Sequence, residues 1–345
     1  APSANEISLI FNEPLNIELI KIDNFEITPV LEIIGLDILG TTQVKLLTQE
    51  DLIPRKPYEI KVSNTFDCAG NLIAAAESTA SFSLVEEAVQ QDIVLNEVLY
   101  NPANGGVDFI ELFNASPKYI NLSAWQLKGN TQEVVIFEGE NVVMEPGQFL
   151  ALTEDKQVLI NQYASSAVSD NIIETDLPSF PNEAGIVIVK SQDSALVEAF
   201  AYDDDLHLSF LRSTDGVSLE RISPASPIDR NESWRSAASD VGFATPGAPN
   251  SQRSGATIPS GKLTVNPSSF SPDRVGRSYT LINYELNNTG ALATVKIFNA
   301  RGQLIKTLAN NQTLGSAGFF RWDGDNNQGQ RAGVGYYLIY FEIFD

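Results

Sequence analysis

The sequence predicts an all-β protein made of three sandwiches in tandem, and three observations predict it. Short apolar runs alternate from end to end with clusters of Gly, Pro, Asn, Asp and Ser, the rhythm of strands joined by turns. No sustained helical period appears in residues 1–85, and the one amphipathic stretch beyond them, Lys156 to Tyr163, is short. The length of 345 residues exceeds one ordinary sandwich and fits about three domains of ~100–150 residues each. A hydrophobic content of 43% is enough to build a core in each.

The first block, residues 1–85, places strands at Ile7 to Phe11, Ile17 to Ile20, Phe25 to Thr28, Val44 to Leu47, Tyr58 to Val62 and Ala80 to Leu84. A turn is expected at Asp67, Ala69, Gly70 and Asn71, where Asp and Asn side chains cap backbone N–H groups and Gly70 accepts positive φ. With Phe11-Asn12-Glu13-Pro14-Leu15 and Leu52-Ile53-Pro54 before Tyr58, this block resembles a bacterial immunoglobulin-like module. Cys68 inside the turn is expected to be an inert thiol. Val85 to Gln91 is an acidic connector, too short to let the first two domains move far apart.

The second block, residues 92–250, opens with the stretch around which the chain is organised. Two apolar runs, Ile93 to Tyr100 and Phe109 to Phe113, each carry a glutamate, Glu97 and Glu111, and flank a turn at Pro102 and Asn104-Gly105-Gly106. Ile120-Asn121-Leu122 and Trp125 follow, and further strands are expected near 132–137, 148–152, 185–190, 195–202 and 217–222. The helical stretch Lys156 to Tyr163 is expected to cap an open end of the sandwich. Leu95-Asn96-Glu97, Phe109-Ile110-Glu111-Leu112 with Asn114, Leu122-Ser123 with Trp125, and Glu145-Pro146-Gly147 occur in the order of a lamin tail domain. Ser218-Leu219-Glu220-Arg221 and Ala244-Thr245-Pro246-Gly247-Ala248-Pro249-Asn250 complete that resemblance, which implies an immunoglobulin-like β-sandwich.

Thr245 to Gly261, rich in Pro, Gly, Ser and Thr, is expected to be a free linker and the first site of proteolysis. The third block, residues 262–345, places strands at Tyr279 to Leu286, Ala293 to Phe298, Gln303 to Leu308, Phe319 to Trp322 and Tyr336 to Ile343. On the last, Tyr337, Ile339, Phe341 and Ile343 share the core face, leaving Tyr336, Tyr340 and Glu342 half-exposed. Phe270-Ser271-Pro272, Val295-Lys296-Ile297-Phe298, Trp322-Asp323-Gly324 and Gly333-Val334-Gly335-Tyr336-Tyr337 make the block similar to a FlgD-like immunoglobulin domain. Its usual Asn-Gly-Asp run is replaced here by Asp273-Arg274-Val275-Gly276.

Composition excludes several function classes. Residues 1–91 carry 5 basic against 14 acidic side chains and residues 92–250 carry 8 against 24, whereas residues 251–345 carry 9 against 6. A central domain this acidic repels a phosphate backbone, so nucleic acid is not an expected partner. No apolar run approaches the ~20 residues of a membrane helix. With no signal peptide and no initiator Met, the chain reads as a trimmed fragment of something longer. A single cysteine rules out an internal disulfide, and a single histidine, His207, rules out multi-His metal sites.

Five constellations carry chemistry on paper. Glu97 and Glu111 form a carboxylate pair of the kind used in glycoside hydrolysis, but neither has a companion nucleophile or oxyanion-hole motif; they are read as holding the sandwich. Arg221 shares a strand face with Leu219, so it needs a buried partner, and Glu111 or Glu97 is the expected one. Asp203 and Asp205, beside Asp204 and His207, are the calcium candidates. Trp234, in a polar context, is the candidate for stacking on a ligand ring, while Trp125 and Trp322 are expected in cores. Asp323, Asp325 and Asn327 read as a plain turn rather than a calcium loop.

The resulting expectation is a non-enzymatic, monomeric structural and presentation fragment of a secreted or cell-surface multidomain bacterial protein. It would need no cofactor, and its partners would be other domains of the parent chain and a surface polysaccharide or protein. Two alternatives stand beside it: a polysaccharide- or polymer-binding module, and an accessory part of a secreted nuclease or phosphatase.

Overall fold

A computed structural model describes every residue except 1–3, 75–77, 210, 212, 254–260, 273–277, 287–289 and 345. Part of the expected linker and the Asp273 to Gly276 loop therefore lie outside the described residues. The architecture is a tandem of three immunoglobulin-like β-sandwiches, and no helix among the described residues is long and apolar enough to cross a membrane.

The first sandwich packs two three-stranded sheets. β1 (Glu6–Ile10), β4 (Gln43–Thr48) and β3 (Ile33–Ile38) form one; β2 (Phe25–Thr28), β5 (Tyr58–Val62) and β6 (Thr79–Phe82) form the other. The inward residues of each strand, Ile7, Phe25, Ile27, Val44, Leu46, Tyr58 and Ile60, meet in one core, as period-two alternation requires. Ile17–Leu19 is a 3-10 turn rather than a strand, and β3, with a bulge between Ile33 and Gly35, is a strand that the apolar pattern does not predict. The Asp67 turn forms as expected: its carboxylate accepts the Ala69 and Asn71 N–H groups at 2.8 and 2.7 Å, with Gly70 at φ 88°.

The second sandwich is larger. Its main sheet has six strands in the order β14 (Ile172–Glu174), β13 (Phe149–Thr153), β8 (Phe109–Asn114), β7 (Ile93–Leu99), β17 (Leu219–Arg221) and β18 (Trp234–Ser236). Against one face lies the four-stranded sheet β11 (Glu133–Ile136), β10 (Trp125–Lys128), β15 (Ala184–Lys190) and β16 (Leu196–Asp203); β9 (Ile120–Asn121) pairs with β12 (Val143–Met144) alongside. Leu95, Val98, Ile110, Leu112, Leu127, Val187, Phe200 and Leu219 fill the space between the sheets.

The other face of the six-stranded sheet is covered too. Helix α1 (Lys156–Gln162), N-capped by Asp155 accepting from the Val158 N–H at 2.9 Å, lays Leu159 on that face. Leu159 and Tyr163 pack with Leu99, Phe109, Ala151, Ile172 and Ala244. The helix thus lies over a sheet face, not an open end, because Leu99 and Phe109 present an apolar surface there. With both faces covered, every residue of β7 is buried.

The third sandwich pairs β19 (Lys262–Asn266), β20 (Thr280–Glu285) and β23 (Ala317–Trp322) with β22 (Leu304–Thr313), β21 (Leu292–Asn299) and β24 (Tyr337–Phe344). Its core is Ile282, Tyr284, Ala293, Val295, Ala309, Leu314 and Phe320, with Ile339 and Phe341 of β24 packed on it. Ile343, expected in the core, lies at the rim and is exposed.

Candidate functional site

Sheet register brings three glutamates into one row. Glu97 of β7 stands opposite Glu111 of β8 on one side and Glu220 of β17 on the other. All three are completely buried. Three adjacent carboxylates out of water are unfavourable unless each is neutralised or fully hydrogen-bonded. Most of their donors come from residues 245–252, whose composition predicts a linker.

That segment, residues 244–252, runs across the covered face. Glu97 accepts from the Ser218 hydroxyl at 2.5 Å and the Thr245 N–H at 2.9 Å. Glu111 accepts from the Gly247 N–H at 2.6 Å and from Asn96 Nδ2 at 2.7 Å. Glu220 accepts from the Ser251 hydroxyl at 2.8 Å and the Gln252 N–H at 2.7 Å. Asn250 finishes the closure, donating to the Asn96 and Arg221 carbonyls, both at 2.9 Å. Gly247 is required where it sits: φ is 79°, and a Cβ would come within 2.7 Å of the Val168 carbonyl oxygen. Residues 245–252 are therefore part of the sandwich rather than a free linker, which corrects the expectation drawn from their composition. Turn-forming residues read as flexible by themselves, but here their backbone donors meet buried acceptors.

Thr245 Oγ1 lies 2.9 Å from both Glu97 Oε2 and Glu220 Oε1. A hydroxyl has one proton to donate, so full pairing of both contacts requires one carboxyl to be the donor. Burial, reinforced by the neighbouring Glu220, raises the Glu97 pKa to about 8. Burial and Glu97 hold Glu111 well above the ordinary range, and burial raises Glu220 as well. With its pKa near 8, Glu97 is held mainly with its proton bound at neutral pH.

Arg221 is buried, but its partner is not the expected one. Its guanidinium meets Glu198 of β16 at 2.9 and 3.0 Å and also donates to the Leu95 and Ser226 carbonyls. Strand alternation explains the correction: Leu219 and Arg221 point between the two sheets, whereas Glu97, Glu111 and Glu220 point to the opposite face. Glu198 also accepts the Leu95 N–H at 2.6 Å; burial pushes its carboxyl up more than Arg221 pulls it down. The signal for Glu198 was in the sequence, since it shares a strand face with Phe200 and Tyr202, where an acid needs a partner.

Trp234 is likewise not a surface platform. It is buried, stacks on Phe200 at 3.9 Å between ring centroids, and donates its indole N–H to the Ile228 carbonyl at 3.0 Å. The polar residues around it belong to a short turn that precedes β18. Asp203, Asp204 and Asp205 are exposed, and no group of three His, Cys, Asp or Glu side chains converges among the described residues. Asp203 and Asp205 thus do not form a calcium cage, because the strand end at Asp203 turns successive side chains apart. His207 is buried beside Tyr100, bonded to Ser236 at 3.0 Å, and burial lowers its pKa to about 4. The apolar cleft of about 1270 Å³ between the second and third sandwiches, bordered by Leu208, Val217, Phe243 and Leu292, contains none of these candidates.

The two joints between sandwiches differ. At the first, Arg55 pairs with Glu86 at 3.2 Å, the Glu86 N–H donates to the Tyr119 carbonyl, and Lys118 pairs with Asp92 at 2.7 Å. At the second, residues 244–252, the clasp over the glutamate row, continue directly into the third sandwich. Gln252 donates to the Leu314 carbonyl at 3.1 Å and accepts from the Gly290 N–H at 2.6 Å. The Ser239 hydroxyl donates to the Thr313 carbonyl at 2.8 Å, and Tyr284 donates to Asp240.

Residues 86–204 match the profile of the Lamin Tail Domain, roughly a third of the chain. The match stops short of β17 and the clasp. No curated protein matches the chain. Among solved structures, the N-terminal part of the bacterial S-layer protein SbsC shares 12% identity, covering 59% of this chain and 42% of that one, at a TM-score of 0.24. SbsC domains 1–6 share 10% identity over 100% of this chain and 52% of that one, also at 0.24. Dimeric latent PorU from Porphyromonas gingivalis shares 9% over 99% and 28%, at 0.20. This chain spans about half or less of each, and likenesses at these scores carry no argument about function.

Proposed function

We propose that the chain is a non-enzymatic spacer and presentation segment of a larger secreted or cell-surface protein, built as three domains over residues 1–85, 92–250 and 262–345. The observation that carries this reading is the continuity of the clasp with the second joint. Glu220 holds Ser251 and Gln252, and Gln252 holds Leu314 and Gly290. A segment with the composition of a flexible tether is thereby made rigid, which suits a part whose task is to hold other domains at a set separation. The carboxylates that invite an enzymatic reading have no exposed surface, so no external substrate reaches Glu97 or Glu111. The loss of Trp234 as an exposed ring removes the main support for polymer binding.

Paired spin labels test the reading. One label goes on the exposed Cys68 and the other on an exposed turn residue of the third sandwich, through Gln328→Cys. A single narrow distance distribution is expected. A broad distribution, spanning the reach of a flexible linker, would overturn the spacer reading. Turnover of DNA, phosphate esters or glycans that is lost in Glu97→Gln would overturn its non-enzymatic part.

A further inference from the structure

The glutamate row and the second joint are tied by one chain of hydrogen bonds. Thr245 has a single hydroxyl proton for Glu97 Oε2 and Glu220 Oε1, each 2.9 Å away. With both contacts bonded, one of the two carboxyls must carry a proton. Glu220 also accepts from the Ser251 hydroxyl and the Gln252 N–H. Gln252 in turn donates to the Leu314 carbonyl and accepts from the Gly290 N–H, both in the third sandwich.

Among the described residues no Lys, Arg or His side chain is hydrogen-bonded to the row. Clasp residues 244–252 have no titratable side chain. Tyr163, at the end of α1, donates to the Gly216 carbonyl at 2.9 Å, and burial and Glu97 push its pKa up. The segment bonded to Pro246 and Gly247 brings the exposed Asp170. β13 sets Ala151 and Thr153 on this face, and β14 adds the exposed Glu174 beside Thr153, accepting the Lys156 N–H. Arg235 of β18 stands opposite Glu220, but its guanidinium donates to the Glu232 and Trp234 carbonyls. Arg221, Glu198 and His207 lie on the opposite face of the sheet. Across the joint, Asp240 accepts from Tyr284, and its other oxygen is buried without a partner.

Loss of the shared proton would leave neighbouring carboxylates charged in a dry site, with one hydroxyl for two acceptors. Both conditions are unfavourable until water enters. The cover most easily lifted is the clasp. It is a loop outside the sheet, and Pro246 and Pro249 have no N–H to give. β7, β8 and β17 are instead paired along both edges. We propose that the second joint is a proton-held latch: loss of a proton from the glutamate row frees residues 245–252 from the sheet and lets the third sandwich swing away, with all three sandwiches still folded. Glu97 keeps its proton up to about pH 8 when closed, against 4.5 when solvated, so rising pH favours opening. The latch rests on the spacer reading and adds a condition under which the spacing is released.

The test uses the full chain with Cys68→Ser, Gln192→Cys and Gln328→Cys, which puts one spin label on an exposed turn of each of the second and third sandwiches. Distance distributions are recorded from about pH 5 to about pH 9. The near-ultraviolet spectrum of the buried Trp125, Trp234 and Trp322 checks the fold. A narrow distribution is expected at the acid end. The ratio of broad to narrow should rise by up to about tenfold per pH unit and level off above about 8. Glu97→Gln is expected to keep the distribution narrow throughout, whereas Asp240→Asn, which retains an acceptor for Tyr284, should leave the pH dependence in place. A narrow distribution at every pH, read without any change in the row, overturns the latch and leaves the spacer reading standing. A broad one at every pH overturns the spacer reading, and the latch with it. Loss of the tryptophan spectrum together with the narrow distribution overturns the latch, because unfolding would then free the third sandwich. So does a pH dependence that survives Glu97→Gln and vanishes in Asp240→Asn, since the proton would belong to Asp240.

Discussion

The six-stranded sheet of the second sandwich and the β22-β21-β24 sheet of the third follow the same alternation, yet their outward faces have opposite fates. In the six-stranded sheet the outward row holds Glu111, Glu97 and Glu220, and the chain folds back over it with α1 and residues 244–252. In the other, the outward row holds Phe298, Leu338 and Tyr340, and among the described residues nothing covers it. Each row is mismatched to a simple rule that polar side chains face out and apolar ones face in. The first mismatch is resolved within the chain, by bringing donors to the carboxylates. The second is left exposed, with no element among the described residues folded back over it.

The largest effect expected from testing this contrast lies at Arg221. Arg221→Ala leaves Glu198 buried without its cation, a change that typically costs about 3–5 kcal/mol. Calorimetry should show the second sandwich melting much lower and the third sandwich's transition unmoved. A change of only a few tenths of a kcal/mol would mean that the pair is not tightly buried.

The pH dependence sharpens the same contrast. Glu97 has a folded pKa of about 8 against an ordinary 4.5, so the fold favours its protonated form. Its contribution is complete below the ordinary value and is lost as pH rises through the window from 4.5 to about 8. His207 acts with the opposite sign: its pKa is lowered from 6.5 to about 4, so stability is lost as pH falls through that range. The melting temperature of the second sandwich should therefore decline toward alkaline pH, and Glu97→Gln should flatten that limb while leaving the acid limb. An unchanged alkaline limb in the variant would assign the proton elsewhere in the row.

The smallest effects compare the joints. Gln252→Ala removes two hydrogen bonds at the second joint, each worth about 0.5–1.5 kcal/mol. Melting of the second and third sandwiches should separate in this variant. Arg55→Ala removes a half-exposed pair at the first joint, of a kind worth about 0–1 kcal/mol, and should leave the melting profile nearly as it was. Equal effects at the two joints would contradict the claim that the clasp stiffens only the second.

Much was legible in the sequence. Most strand positions, the sandwich class, the Asp67 turn and the burial of Arg221 follow from local properties: period-two alternation, turn chemistry and the need of a guanidinium on an apolar face for a partner. The motifs at Leu95-Asn96-Glu97 and Phe109-Ile110-Glu111-Leu112 fall inside the region that matches the Lamin Tail Domain and contain two of the three buried glutamates. The tertiary structure decided who meets whom. Glu220 could be placed on a strand face from its neighbours, but only the pairing of β7 with both β8 and β17 lines it up with Glu97 and Glu111. Glu198 reaches Arg221 from another sheet, 23 residues away in sequence. Thr245 to Gln252 has a tether's composition, and it is packed onto the sandwich because its N–H groups and hydroxyls end on carboxylates more than a hundred residues upstream as well as on Glu220 nearby. Local sequence encodes which face a side chain takes, whereas the partner on that face depends on long-range register, which no short window of residues contains.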